Sequence, residues 1–339
     1  MKYLITGGAG FVGSHLAEYL IGRGHSVHVF DNVSTGCLDN VQHLIGREGF
    51  RYTIGDILDY DSLQDVVEPC EGIFHLAAAV GVRLIMKQPV ETIVTNVEGT
   101  ANVLKLASHH GRKVLFASTS EVYGKLIEED GNVARLNEGD NWTLGPTSKR
   151  RWAYACSKAL DEFLALAYRD EKHLRVVVAR FFNIIGPRQT GRYGMVVPNF
   201  VDRAVRGEPI QVFGDGNQTR CFTYVRDAVR AVAALMETPE AEGEIFNVGS
   251  EDEISMNGLA ERVRSLAASP SDIVHVAYEE IFGSGFEDIK QRTPNIAKLK
   301  RTIGYKPLYS LDDALRSVIA FYRTWTGCDD GSPAPSCPD

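Results

Sequence analysis

The 339-residue chain has little of what marks several protein classes. It has no basic excess: 36 Lys and Arg stand against 44 Asp and Glu, a formal charge of −8. A general nucleic-acid binder carries a basic footprint, so no nucleic-acid partner is expected, although a local Arg cluster can still hold an anionic ligand. It has no apolar run approaching the ~20 residues of a transmembrane helix, so no membrane partner is expected. Its six cysteines (Cys37, Cys70, Cys156, Cys221, Cys328 and Cys337) include no CxxC pair and are irregularly spaced. That excludes a cysteine zinc site and a dense disulfide framework, and the expectation is free thiols in a reducing cytoplasm. The opening MKYLITGGAG lacks the charged-then-apolar layout of a secretory signal. What is present, 44% hydrophobic and 24% charged residues, is the balance of a soluble globular protein.

Strand and helix signals alternate through the first half. Lys2–Thr6 reads as a strand, followed by glycines and a helix from Phe11 to Arg23. Strands are expected at His25–Phe30, Arg51–Ile54, Gly72–Leu76, Lys113–Ala117 and Leu174–Arg180, with long helices at Val90–His109 and Tyr154–Arg169. This alternation predicts an α/β fold: a Rossmann-type doubly wound parallel sheet covered on both faces. After Phe181 strand signals thin out and Arg becomes more frequent, while helices fit Met195–Arg206, Asp227–Met236, Ser255–Ala268 and Leu311–Thr324. The expected division is a dinucleotide-binding lobe over 1–180, which later strands could rejoin, and a smaller α/β lobe over 181–326. A disordered Gly, Ser, Pro and Asp tail is expected over 327–339.

Two constellations carry chemistry. Gly7, Gly10 and Gly13 are spaced GxxGxxG, one residue off the usual GxGxxG dinucleotide fingerprint. They follow a strand and open a helix, the context in which backbone N–H groups cradle a pyrophosphate. Asp31 ends the second strand, where a carboxylate accepts from adenosine ribose hydroxyls and repels a 2′-phosphate, favouring NAD over NADP. Downstream, Tyr154 and Lys158 stand at i, i+4 on one helix face, where an ammonium favours the phenolate. Such a tyrosine can act as a general base. Tyr168 and Lys172 repeat the spacing about 21 Å further along the helix and read as amphipathic surface. Thr119, in Ser118-Thr119-Ser120-Glu121, ends the fifth strand, so its hydroxyl can reach the reacting oxygen. His75 with His109 and His110 has no acidic partner spacing, and no metal is expected.

TGGAGFVG, HLAAA, NVEGT from Asn96 to Thr100, STSEVYG, YACSK and RFFNIIGPR together resemble the extended short-chain dehydrogenase/reductases, in their nucleotide-sugar epimerase and dehydratase branch. The resemblance covers residues 1 to about 325. It implies a tightly bound NAD, reduced and reoxidised within one turnover, and a homodimer formed through the helices near Val90–His109 and Tyr154–Arg169. By matching motifs, Gly7, Gly10, Phe11, Val12, Gly13, Asp31 and Asn32 would contact NAD. Asp56 and Ile57 would flank its adenine, Leu76, Ala77, Ala78 and Asn96 would line it, and Lys158 would hold the nicotinamide ribose beside Tyr154. On the UDP-sugar side, Asn183 would meet the diphosphate, Asn199 would lie in the substrate loop, Gln211 and Phe213 would border the uracil, and Arg220 would pair with a phosphate.

Three reactions share the branch, all starting with Tyr154 taking the sugar 4-OH proton. The dehydratase pattern Thr-Asp-Glu is missing, because Ser120 follows Thr119. The Thr119-Ser120-Glu121 run resembles UDP-glucuronate decarboxylases, which also use an Arg near an Arg-x-Pro segment, and Arg292 matches it. Against this, the Tyr motif lacks the Asp-Glu-Gly insert of many decarboxylases, and GPRQ followed by TGRYGMVVPNF resembles an epimerase. The expectation is therefore a UDP-glucuronate 4-epimerase, an isomerase making UDP-galacturonate, with Arg192 clamping the uronate carboxylate between Gly191 and Tyr193-Gly194. UDP-glucose 4-epimerisation and UDP-glucuronate decarboxylation are the alternatives. A non-catalytic NAD-sensing protein is the reading from a different class.

Overall fold

The computed structural model describes residues 1–80, 87–124, 135–191, 194–278, 280 and 291–324. The expected tail over 327–339 lies outside them, as does Arg192. The first half forms β1 (Lys2–Thr6), α1 (Phe11–Gly22), β2 (Ser26–Asp31), β3 (Phe50–Ile54), α2 (Tyr60–Val67), β4 (Gly72–His75), α3 (Pro89–His110), β5 (Lys113–Thr119), α4 (Trp152–Lys172) and β6 (Val176–Phe181). The second half forms β7 (Ile184–Ile185), α5 (Val196–Arg206), β8 (Ile210–Phe213), β9 (Thr219–Cys221), β10 (Thr223–Tyr224), α6 (Val225–Glu237) and β11 (Ile245–Val248). It continues through β12 (Glu253–Ser255), α7 (Met256–Leu266), β13 (Ile273–Val276), β14 (Gln291–Arg292), α8 (Ala297–Ile303) and α9 (Leu311–Thr324).

Seven strands form one sheet in the order β11-β6-β5-β4-β1-β2-β3. All pairings in it are parallel. Both faces are covered, which explains the nearly unbroken apolar runs of the strands. Ile5, Leu115 and Val177 pack on one face with Leu16 and Leu20 of α1 and Val229 and Val232 of α6. Their neighbours Leu4, Val114 and Val176 face the other way, onto Leu63, Val66, Val103, Leu104 and Ala165 of α2, α3 and α4.

The chain order reverses between β1 and β4, so the strand ends on either side of that point open a crevice. Helix ends follow local rules. Pro89 sits in the first turn of α3, and Gly111, at φ +66°, closes it in the left-handed conformation. Asp59 caps α2 by accepting from the Ser62 N–H at 3.3 Å.

Residues past 180 do not all stay apart from the first sheet. Helix α6 lies beside α1, and β11 pairs with β6 at the sheet edge. The other late strands form small sheets: β7 with β10, β8 with β13, and β12-β9-β14. None exceeds four residues, too short for alternation to stand out in the sequence.

Candidate active site

The turn between β1 and α1 is held closed by close backbone approach. Gly7 has φ +70°, and a Cβ there would stand 2.7 Å from the Ala77 nitrogen. A Cβ on Gly13 would stand 2.2 Å from the Gly7 oxygen and 2.7 Å from the Gly8 Cα. Gly10 is the N-cap of α1, and no side chain caps that end. Its N–H groups, with Phe11 and Val12 in the first turn, are therefore placed to receive an anionic group with the helix dipole behind them. Asp31 accepts from the Ala9 N–H at 2.9 Å and the Val33 N–H at 2.8 Å. Burial raises its pKa, and the backbone donors pull back against that rise. A carboxylate keeps further lone pairs for a ribose hydroxyl.

Asn32 donates to Asp56 at 2.9 Å, tying the ends of β2 and β3. Ile57 is buried, and its methyl end occupies the space a Cβ on Gly99 would need, 2.3 Å away. Leu76, Ala77 and Ala78 follow β4, with the Leu76 N–H on the Thr6 carbonyl at 3.1 Å. Asn96, buried in mid-α3, accepts from the Ala79 N–H at 2.9 Å and donates to Ser157 at 3.2 Å. It couples the crevice wall to the helix that carries Tyr154. These residues gather at the carboxyl ends of β1, β2, β3 and β4, where an open parallel sheet binds a dinucleotide.

Helix α4 is anchored beneath the chemistry by a buried ion pair. The Arg180 guanidinium of β6 forks onto Glu162, with Nε on Oε1 at 2.9 Å and Nη2 on Oε2 at 2.7 Å. Ser118 donates its hydroxyl to the same carboxylate. Thr119, the next residue, hydrogen-bonds the Tyr154 phenol and accepts from the Glu121 N–H at 3.2 Å. Burial raises the Tyr154 pKa above its ordinary value, the Glu121 and Asp161 charges add to this, and the Thr119 bond opposes it.

Lys158 is 2% exposed, and its ammonium lies 3.4 Å from Asp161 and 4.0 Å from the centre of the Phe116 ring. Burial lowers its pKa, while Asp161 raises it. The i, i+4 argument considered Lys158 alone. The structure adds a carboxylate, itself pushed up to about 6 by burial, that competes for the charge. The second pair does not join the site: the Tyr168 ring packs against the α2–α3 side of the core.

Glu121 and Arg292 meet directly, Nη1 donating to Oε1 at 2.7 Å and reaching the buried Ser120 hydroxyl at 3.4 Å. Burial pushes the Glu121 carboxyl up, but the guanidiniums of Arg292, Arg151 and Arg220 outweigh it and hold the group below its ordinary value. Arg220 lies opposite Arg292 in the β9–β14 register and donates to the Thr219 carbonyl at 2.8 Å.

The remaining expected substrate residues are spread over the second lobe. Asn183, at φ +30°, donates to the Cys221 carbonyl at 3.0 Å, and Asn199 donates to the Met195 carbonyl at 2.8 Å. Gln211 and Phe213 share the half-buried face of β8, alternating with buried Ile210 and Val212. Arg151 and Asp161 were not singled out from the sequence. Asp161 had a legible signal, a carboxylate three residues after Lys158 on the same helix face.

His75 sits buried between the Thr6 hydroxyl at 2.7 Å and the Thr100 hydroxyl at 3.1 Å. Among the described residues no cluster of His, Cys, Asp and Glu could hold a metal, and no helix is long and apolar enough to cross a membrane. The four described cysteines, Cys37, Cys70, Cys156 and Cys221, are free.

The chain is similar over most of its length to proteins of known activity. A UDP-N-acetyl-alpha-D-glucosaminuronate decarboxylase of Bacillus cytotoxicus is 44% identical over 323 residues, 95% of this chain and 98% of that protein. UDP-glucuronic acid decarboxylase 1 of Danio rerio is 37% identical over 325 residues, 95% of this chain and 72% of that protein. The crystal structure of a UDP-glucuronic acid 4-epimerase from Bacillus cereus, in complex with UDP-glucuronic acid and NAD, superposes with a TM-score of 0.85 at 27% identity. It covers 96% of this chain and 99% of that one.

The expected UDP-glucuronate 4-epimerase, an isomerase, is overturned: relatives sharing 36–44% identity over 95% of the chain are named decarboxylases. That expectation rested on loop motifs near Arg192, whereas the Glu121–Arg292 contact joins segments 171 residues apart. The model of the NAD dependent epimerase/dehydratase family matches residues 3–249, and with the Rossmann-like sheet and its glycine turn the chain belongs to that family.

Proposed function

We propose that the protein is an NAD-dependent decarboxylase acting on a UDP-hexuronate. The observation that carries this reading is the Glu121–Arg292 pair at 2.7 Å, two residues beyond the threonine that bonds Tyr154. Epimerisation at C4 has no need of such a pair. Tyr154 takes the proton of the sugar C4 hydroxyl, and the Thr119 hydroxyl holds that oxygen. NAD, held along Gly7, Gly10, Gly13 and Asp31, supplies a hydride acceptor for C4. The C4 ketone makes the C6 carboxylate that of a β-keto acid. The C5–C6 bond then breaks, its electron pair becomes the C4–C5 enolate, and CO2 leaves. Tyr154, now protonated, and Thr119 donate to the enolate oxygen. Arg292 and Ser120 border the departing group. Glu121, held below its ordinary pKa, serves as the fixed counter-charge of Arg292, and C5 takes its proton from solvent. Asn183, Asn199, Gln211, Phe213 and Arg220 are assigned to the UDP moiety.

The active form we propose is a homodimer. Helices α3 and α4 pack side by side and leave Val90 at 74%, Leu160 at 50% and Phe163 at 62% exposed, an apolar surface suited to a two-fold helical interface.

Incubation with UDP-glucuronate and with UDP-N-acetylglucosaminuronate, without added NAD and read by proton NMR, tests the reaction. The expected product from one of them is a UDP-pentose or its 4-keto form. A UDP-galacturonate-type product that keeps its carboxylate refutes the reading.

A further inference from the structure

Arg292 is held in place through its two neighbours. It belongs to β14, which is two residues long and pairs with β9 at two positions, Gln291 with Thr219 and Arg292 with Arg220. So short a strand offers few ladder hydrogen bonds to fix how Arg292 reaches toward Glu121. Successive side chains of a strand point to opposite faces, so Gln291 and Thr293 lie on the face turned away from Glu121. Both donate there to one carboxylate oxygen. Nε2 of Gln291 stands 2.5 Å from Oε1 of Glu253, and the Thr293 hydroxyl donates to the same oxygen.

Glu253 opens β12, on the far side of β9 from β14. It pairs across the ladder with Cys221 of β9, a buried residue that also meets the Thr293 hydroxyl. The small cysteine lets the longer Glu253 side chain cross the central strand. The carboxylate thus grips the residue before Arg292 and the residue after it, through hydrogen bonds of the strong, charge-assisted kind. The Thr293 carbonyl has a second tether, the Leu136 N–H at 2.8 Å, so the end of the strand stays in place without Glu253. What Glu253 adds is a fixed setting for Arg292 between its neighbours, and Arg292 in turn reaches Glu121 at 2.7 Å. Oxidation at C4 needs no such clamp, because Thr119 ends β5 and Tyr154 and Lys158 stand on α4.

We infer that Glu253 is a positioning residue for the carbon–carbon cleavage step: by holding Gln291 and Thr293 it keeps Arg292 beside the departing carboxylate. The inference rests on the decarboxylase reading and deepens it. Glu253 touches no reacting atom and acts through Arg292.

Single-turnover mixing of the NAD-loaded protein with UDP-glucuronate and with UDP-N-acetylglucosaminuronate separates the two steps. Absorbance of the reduced cofactor reports oxidation at C4, and trapped CO2 reports cleavage. Wild type should release CO2 from one of the two; no CO2 from either refutes the decarboxylase reading, and the inference falls with it. In Glu253→Ala the substrate that wild type cleaves should reduce the cofactor at the wild-type rate, which also shows that the variant is folded. Its CO2 release should slow about 10- to 100-fold, the scale of a misplacement of about 1 Å. Glu253→Gln keeps a carbonyl oxygen that can accept both bonds and should recover most of the rate. On an Arg292→Ala background, Glu253→Ala should cost nothing further, because its effect ends at Arg292. CO2 release at the wild-type rate in Glu253→Ala overturns the inference. Equal slowing of both steps overturns it, since that marks a general loss of structure. So does an undiminished loss on the Arg292→Ala background, because Glu253 would then act by another route.

Discussion

Replacing His75 by Gln isolates a buried titration at the centre of the fold. His75 ends β4 just before the Leu76–Ala78 wall and is 1% exposed. Burial, reinforced by the Lys158 charge, lowers its pKa from 6.5 to about 3. A neutral imidazole suits the site, since one ring nitrogen can donate to one threonine and the other accept from its partner. The unfolded chain takes up a proton at this residue near pH 6.5 and the folded chain does not. Its contribution to stability is therefore complete above pH 6.5 and is lost as the pH falls toward 3. The whole span corresponds to about 5 kcal/mol at 1.36 kcal/mol per pH unit. Between pH 7 and pH 5 about 2 kcal/mol of it disappears. Gln can replace both hydrogen bonds and carries no charge at either pH. Urea unfolding of wild type and His75→Gln at the two pH values gives the comparison. The stability advantage of wild type over the variant should shrink by about 2 kcal/mol at the lower pH. An advantage that stays constant refutes a buried neutral His75, because it would mean the folded state takes up the proton as readily as the unfolded one.

Two further variants probe the cradle and the helical face. Gly13→Ala would place a methyl 2.2 Å from the Gly7 oxygen, so α1 must retreat from the turn. Its Kd for NAD, measured by titration, should rise about tenfold or more, and an unchanged Kd contradicts the cradle. Phe163→Asp puts a charge on a side chain 62% exposed in the single chain. It should give a folded monomer by light scattering, and an unchanged dimer mass removes α4 from the interface.

The frame of the fold was readable because its signals are local. Lys2–Thr6 runs straight into glycines, β5 and β6 each carry four consecutive apolar residues, and Gly111 follows the last turn of α3. The glycine turn and the Tyr154–Lys158 pair were readable for the same reason, each lying within seven residues or fewer. The reaction was not. Its decisive contact joins Glu121 to Arg292 across 171 residues and depends on β14, a two-residue strand that aligns Arg292 with Arg220. Arg292 was legible as a decarboxylase match, but loop motifs around Arg192 outweighed it, because no local spacing shows that Arg292 meets Glu121. Asp161 was passed over for a related reason. Its spacing from Lys158 is plain, but its meaning comes from burial, which only the packing of α4 against the sheet and α3 provides.

The most direct test of the central claim follows the fate of one carbon. A UDP-hexuronate labelled with heavy carbon at C6 is incubated with the purified protein, and the label is measured in the headspace and in the nucleotide sugar. The account predicts label released as CO2, one equivalent for each UDP-pentose or 4-keto product formed. Label retained in a UDP-hexuronate whose C4 configuration has changed would contradict it.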